Sequence, residues 1–131
     1  MPELAEVDYI RKQWNPGLGH CIGAVEIHGK KRIFRGIDLR EFVRALVGAT
    51  LERSEARGKQ MLFVAKTKGA KARVWLGLHL GMTGELRLEP PDFTAAKHDH
   101  LILRQKKHAL VFEDPRLFGR VLFAEGVDAP A

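Results

Sequence analysis

Cysteine is nearly absent from this chain of 131 residues: Cys21 is the only one. A single thiol excludes an internal disulfide and any cysteine-rich zinc site within the chain, and it fits a reducing compartment. No apolar run approaches the roughly 20 residues that cross a bilayer as a helix. Residues 1–15 carry charges throughout, so no secretory signal is expected there. Internal repeats and low-complexity tracts are lacking too. Acidic residues are the minority, 16 against 22 Lys and Arg, giving a formal charge of +6 and a pI of about 9.8. That surplus favours a polyanionic partner, because each neutralised phosphate releases counterions; a merely soluble basic domain carries the same charge. What is present is apolar material, 45% of the chain, enough for one domain with a core.

Residues 3–14 predict a helix, with Leu4, Val7, Ile10 and Trp14 on one face, Glu3 in its first turn, and Asn15, Pro16 and Gly17 ending it. A second helix is expected over 39–47, with Asp38 as cap, Glu41 answering it three residues on, and Gly48 at its end. Leu39, Phe42, Val43 and Leu46 form its apolar face. The remainder reads as strands at 20–28, 50–56, 60–67, 72–79, 84–89, 99–105, 109–113 and 119–124, separated by turn clusters such as 68–70 and 105–107. The expected fold is therefore mainly β (α+β): a two-sheet antiparallel sandwich of about eight strands with two flanking helices. Residues 1–125 form the domain, and 126–131, small and acidic with a proline, read as the start of a linker.

The chain opens Met1-Pro2-Glu3-Leu4. Removal of Met1 leaves Pro2 with a free secondary amine, and an α-amino group titrates near pH 8, at about 7.7–8.0, so a useful neutral fraction exists at physiological pH. Such an amine attacks a sugar C1′ and forms an iminium, covalent catalysis of the Schiff-base type, and Glu3 beside it is placed for proton transfer. Retained Met1 would make that nitrogen a tertiary amide. The structural alternative is plain, since Pro and Glu are both common at a helix start. Four further segments weaken it: Arg57-Gly58-Lys59 before an apolar strand; His79-Leu80-Gly81-Met82-Thr83-Gly84, with glycines around a Met-Thr tip; Lys97-His98-Asp99-His100 at a strand start; and Asp114-Pro115-Arg116-Leu117-Phe118-Gly119-Arg120 in a turn. A metal site at His98, Asp99 and His100 has no evident third ligand, and the two histidines also read as solvated strand ends.

In this order, over essentially the whole chain, the segments resemble the catalytic half of the formamidopyrimidine-DNA glycosylases (the Fpg/Nei family), with the start and the HLGMTG and KHDH segments favouring the Fpg branch. The resemblance implies Pro2 as nucleophile, Glu3 as general acid/base, and Lys59 as phosphate contact and proton donor in β-elimination. It implies Met82, Arg116 and Phe118 as the residues that fill the hole left by an everted nucleotide, which offsets part of the unstacking cost. His98 matches a DNA-contacting histidine, and His79 a backbone contact. The implied activity is excision of oxidised purines (8-oxoguanine, formamidopyrimidines) followed by abasic-site lysis. The alternatives are a non-catalytic damage-binding module and a Nei-like enzyme acting on oxidised pyrimidines. The implied partner is damaged double-stranded DNA, bound by a monomer in the bacterial cytoplasm, with no membrane association. No cofactor is implied for this chain; zinc belongs to the family's second domain. Two positions depart from the family pattern: Ala5 stands where a proline is usual, and Leu117 replaces a basic residue, which puts one phosphate contact in doubt.

Overall fold

The computed structural model describes residues 4–28, 32–67, 73–81, 84–117 and 119–126. Among them are α1 (Leu4–Arg11), a 3₁₀ turn (Lys12–Gly17), β1 (Ile22–Ile27), α2 (Leu39–Leu46), β2 (Thr50–Arg57), β3 (Gln60–Lys66), β4 (Arg73–His79), β5 (Glu85–Glu89), β6 (Asp99–Gln105), β7 (Ala109–Glu113) and β8 (Arg120–Gly126). They form two antiparallel sheets, one ordered β2-β3-β4-β8 and the other β1-β6-β7-β5. The expected mainly-β sandwich with two helices is the observed fold. Each of the eight strands lies within two residues of its expected limits, β8 running on to Gly126.

Alternation along the strands builds the core. Met61, Phe63, Leu76, Leu78, Leu101, Leu103, Leu110, Phe112 and Val121 point between the sheets and are fully or almost fully buried. Their neighbours form two smaller outer clusters. Leu62, Val64 and Trp75 lie outside the first sheet; Ile102, Ala109 and Val111 lie outside the second, covered by Phe93 and Ala95.

The first helix is shorter than expected. Its α-helical part ends at Arg11, and the chain tightens into 3₁₀ geometry through Asn15, Pro16 and Gly17 instead of stopping there. The reason is Trp14. Its ring lies 4.9 Å from Phe63, and its indole N–H donates to the Val111 carbonyl at 3.3 Å, so the tighter turn delivers one side chain to both sheets. Leu4, assigned to the buried face, is 58% exposed. In α2 the Asp38 carboxylate caps Arg40 and Glu41 N–H at 3.0 and 3.3 Å, as expected. Glu41 pairs forward with Arg44 instead of closing a capping box. Phe42 anchors this helix against Phe34 and Phe123 of β8, with centroids at 6.2 and 5.4 Å. No helix among the described residues is long and apolar enough to cross a membrane.

Candidate nucleic-acid interface

The strand order sends distant segments to one end of the sandwich. The β2–β3 turn holds Lys59; β3 begins at Gln60, which is in register with His79 at the end of β4, which is in register with Arg120 at the start of β8. In the other sheet, β6 begins and β7 ends at this same end, with Asp99 opposite Glu113. The connections β4–β5 and β7–β8 cross between the sheets here. Lys59, His79, His98 and Arg116 are thus brought to one end from four separate stretches of sequence. Lys59, His79 and His98 are half-buried, and Arg116 is exposed. Pro2, Glu3, Met82 and Phe118 lie outside the described residues.

The loops at this end are tied down by backbone. Gly84 N–H donates to the Leu80 carbonyl at 2.8 Å, closing the base of the 80–84 loop. A Cβ on Gly84 would lie 2.4 Å from that oxygen, which explains the glycine. Gly81 N–H donates to His79 Nδ1 at 3.1 Å, so a neutral His79 ring carries its hydrogen on Nε2, facing away from the loop.

The 114–119 loop is bolted more firmly. Asp114, fully buried, accepts Gly119 N–H on Oδ2 at 2.7 Å and donates its own N–H to the His98 carbonyl at 3.0 Å. His100, expected as a solvated strand end, is 3% exposed. Its Nδ1 faces the His28 carbonyl at 3.0 Å and its Nε2 faces the Asp114 carbonyl at 2.9 Å. A neutral ring donates to one of these oxygens; both bonds together require a hydrogen on each nitrogen. With the Asp99 carboxylate on Arg87 at 3.0 Å and on Ala96 N–H at 2.8 Å, the side chains of Asp99 and His100 serve structural bonds, and His98 joins them through its carbonyl. Among the described residues, no group of three or more His, Cys, Asp or Glu is placed to hold a metal ion.

Leu117 is the position that lacks the basic residue. It sits at φ +60 with its side chain packed against the main core. The non-glycine left-handed conformation carries strain that the half-buried side chain's packing on the core offsets. This position thus ties the loop to the core beside Arg116. Sequence reasoning missed the bolts, His100, Asp114 and Gly119, because all three act through main-chain groups that no side-chain pattern displays. The signal that was available is the run of Asp, Gly and two arginines in one seven-residue turn.

The architecture is that of an antiparallel β-sandwich presenting basic and imidazole side chains at one loop-bearing end. The family model described as the formamidopyrimidine-DNA glycosylase N-terminal domain matches residues 1–121, and the chain belongs to this family. It is 38% identical over 132 residues to the formamidopyrimidine-DNA glycosylase of Dechloromonas aromatica (strain RCB), covering 100% of this chain and 46% of that protein. The enzyme of Laribacter hongkongensis (strain HLHK9) is 36% identical over 128 residues, covering 96% and 44%. The chain therefore spans less than half the length of these relatives. Among solved structures, it is similar to Lactococcus lactis Fpg in complex with a DNA containing N7-benzyl-Fapy-dG, with a TM-score of 0.82 and 28% identity over 95% of this chain and 44% of that one. A complex of the same protein with abasic-site DNA gives a TM-score of 0.82 at 27% identity.

Proposed function

We propose that this chain is the catalytic half of a base-excision-repair DNA glycosylase and abasic-site lyase acting on oxidised purines. The observation that carries this reading is the convergence of Lys59, His79, His98 and Arg116 on one loop end, in a chain whose family is defined by such enzymes. In this reading the flipped nucleotide meets the Pro2 amine. The nitrogen attacks C1′, the glycosidic C–N bond breaks, and the base leaves with the bonding pair and takes up a proton. The nitrogen then gives up its proton, and its lone pair opens the sugar ring by breaking the C1′–O4′ bond, with O4′ taking up a proton; the resulting iminium acidifies C2′. Loss of a C2′ proton breaks the C3′–O bond, and a second elimination releases the 5′ side. Glu3 moves protons at C1′ and the sugar, and Lys59 holds the phosphate and donates in the first elimination. Met82, Arg116 and Phe118 fill the vacated duplex position, while His79 and His98 contact the backbone.

The chain alone supplies one side of a DNA groove. Bending and flipping cost roughly 1–6 kcal/mol and a few kcal/mol respectively, and contacts on one side recover only part of this. Borohydride trapping tests the proposal. The chain with Met1 removed becomes covalently linked to single-stranded abasic DNA, and far less efficiently to an intact duplex holding 8-oxoguanine. Blocking the Pro2 amine abolishes trapping. A chain that binds abasic DNA yet leaves no adduct is a damage-binding module, and equal processing of the intact duplex would show that one half suffices.

A further inference from the structure

Five arginines of the described residues are half-buried: Arg11, Arg73, Arg87, Arg104 and Arg120. Four of them meet carboxylates. Arg11 meets Asp8 at 2.6 Å, Arg73 meets Glu52 at 3.1 Å, Arg104 meets Glu26, and Arg87 meets Asp99, Glu89 and Glu113 at 3.0, 3.0 and 2.6 Å. Arg120 has no carboxylate among the described residues, and its Nε is buried without any hydrogen-bond partner. A guanidinium keeps its charge at every physiological pH, so partial burial without an acceptor is a standing cost to the fold. An anion reaching the outward-facing part of the group removes that cost on binding.

Its position indicates which anion. Arg120 lies directly opposite His79 across the β4–β8 pair. Both point away from the core, because their strand neighbours Leu78 and Val121 are buried between the sheets. Opposed side chains of this kind start about 4.5–5.5 Å apart, close enough to share one tetrahedral anion. His79, with Gly81 N–H on Nδ1, presents Nε2–H as a donor. On the far side of Arg120 runs the 32–37 turn, whose Ile33 carbonyl accepts Val121 N–H at 2.9 Å. A methyl group at Gly36 would sit 3.6 Å from Arg120 Nη2, so the guanidinium lies along this glycine's backbone. Arg32 and Arg35 on the same turn add positive charge.

We propose that Arg120 joins His79 in holding one backbone phosphodiester of the bound DNA strand, on the rim between the loop end and the 32–37 turn. This rests on the reading of the chain as a DNA-binding enzyme half. The planar fork of Arg120 takes one phosphate oxygen and His79 Nε2–H another.

The test measures binding of the chain to a short duplex carrying one abasic-site analogue, as a function of salt, for the wild type, Arg120→Gln and Arg120→Lys, with thermal denaturation of each. Arg120→Gln should bind about tenfold more weakly at low salt, the size of one charge-assisted contact. Its log–log salt slope should be shallower by about 0.9, one phosphate contact, with the melting temperature unchanged or raised. Arg120→Lys should keep the wild-type slope while losing part of the affinity. A wild type that binds in a salt-dependent manner beside an Arg120→Gln variant of equal affinity and slope overturns this inference alone. A wild type without salt-dependent binding overturns the inference and the proposed function together. A glutamine variant that melts earlier, with lysine failing to restore the slope, makes Arg120 a structural residue and also overturns the inference.

Discussion

The outer face of the β1-β6-β7-β5 sheet and the loop end of the sandwich use charge in opposite ways. On the face, Arg87 is surrounded by Asp99, Glu89 and Glu113 and lies 5.5 Å from the Phe93 ring, while Arg104 joins Glu26 to the Pro91 and Phe93 carbonyls. Burial works against the Arg87 charge, yet the hydrogen bonds to Asp99, Glu89 and Glu113 outweigh it and raise the guanidinium above its ordinary range. At the loop end, the buried polar groups of Asp114 and His100 bind backbone and set loop shape, and Arg120 is held with no carboxylate. A cation that the fold has neutralised holds the fold together. A cation that the fold positions without an acceptor is available to an outside anion.

The comparison breaks most visibly at Arg87. Arg87→Ala leaves Asp99, fully buried, bonded to Ala96 N–H without its guanidinium partner, and removes the counter-charge of Glu113. Leaving a buried charge uncompensated costs about 3 kcal/mol. Denaturant unfolding should show that loss, while the salt slope of DNA binding stays at the wild-type value. A changed slope with unchanged stability would place Arg87 in the interface and end the distinction between the two regions.

His100→Ala sharpens the same comparison from the other side. It deprives the His28 and Asp114 carbonyls of their ring partner, a loss of about 2 kcal/mol for buried acceptors. The expected signature is local. Amide exchange at Gly119, bonded to Asp114, should accelerate, and DNA binding should weaken more than the stability loss alone accounts for. Uniformly faster exchange across both sheets would show that His100 is an ordinary core residue.

Much of this contrast was legible in the chain, and the part that was not has a physical reason. Apolar runs such as Met61–Val64 and alternating segments such as Leu86–Glu89 located the strands, because a strand covered on both faces is apolar throughout and one covered on a single face alternates. The Asp38 cap was legible because it acts within three residues. The break at Arg11 was not, since a long-range bond from Trp14 to Val111 decides it. The gathering of Lys59, His79, His98 and Arg116 follows from strand order, which local pattern leaves open; the resemblance to a known family supplied those residues in advance. His100 was misjudged because its partners are carbonyl oxygens of residues 72 and 14 positions away. Arg120 was passed over because an arginine's lack of a partner is visible only once its surroundings are.

The smallest expected effect lies at Glu26. Its hydrogen bond to Arg104 is the main influence holding its carboxyl below the usual range, with burial opposing and His28 assisting. Because the folded-state value lies below the unfolded one, the contribution is present at pH values above the ordinary carboxylate range and is lost as pH falls through it. Glu26 is 33% and Arg104 22% exposed, so water screens the pair, and Arg104 retains two carbonyl acceptors when Glu26 is changed. Glu26→Gln should therefore cost about 0.5–1 kcal/mol at neutral pH. The wild-type and variant stability curves should converge on acidification, and DNA binding should be unaffected. Urea unfolding from neutral pH down through the carboxylate range measures this directly. A cost at Glu26 that equals the Arg87→Ala loss, or a gap that persists in acid, would show that the face is held by the bulk of these side chains and not by their charges.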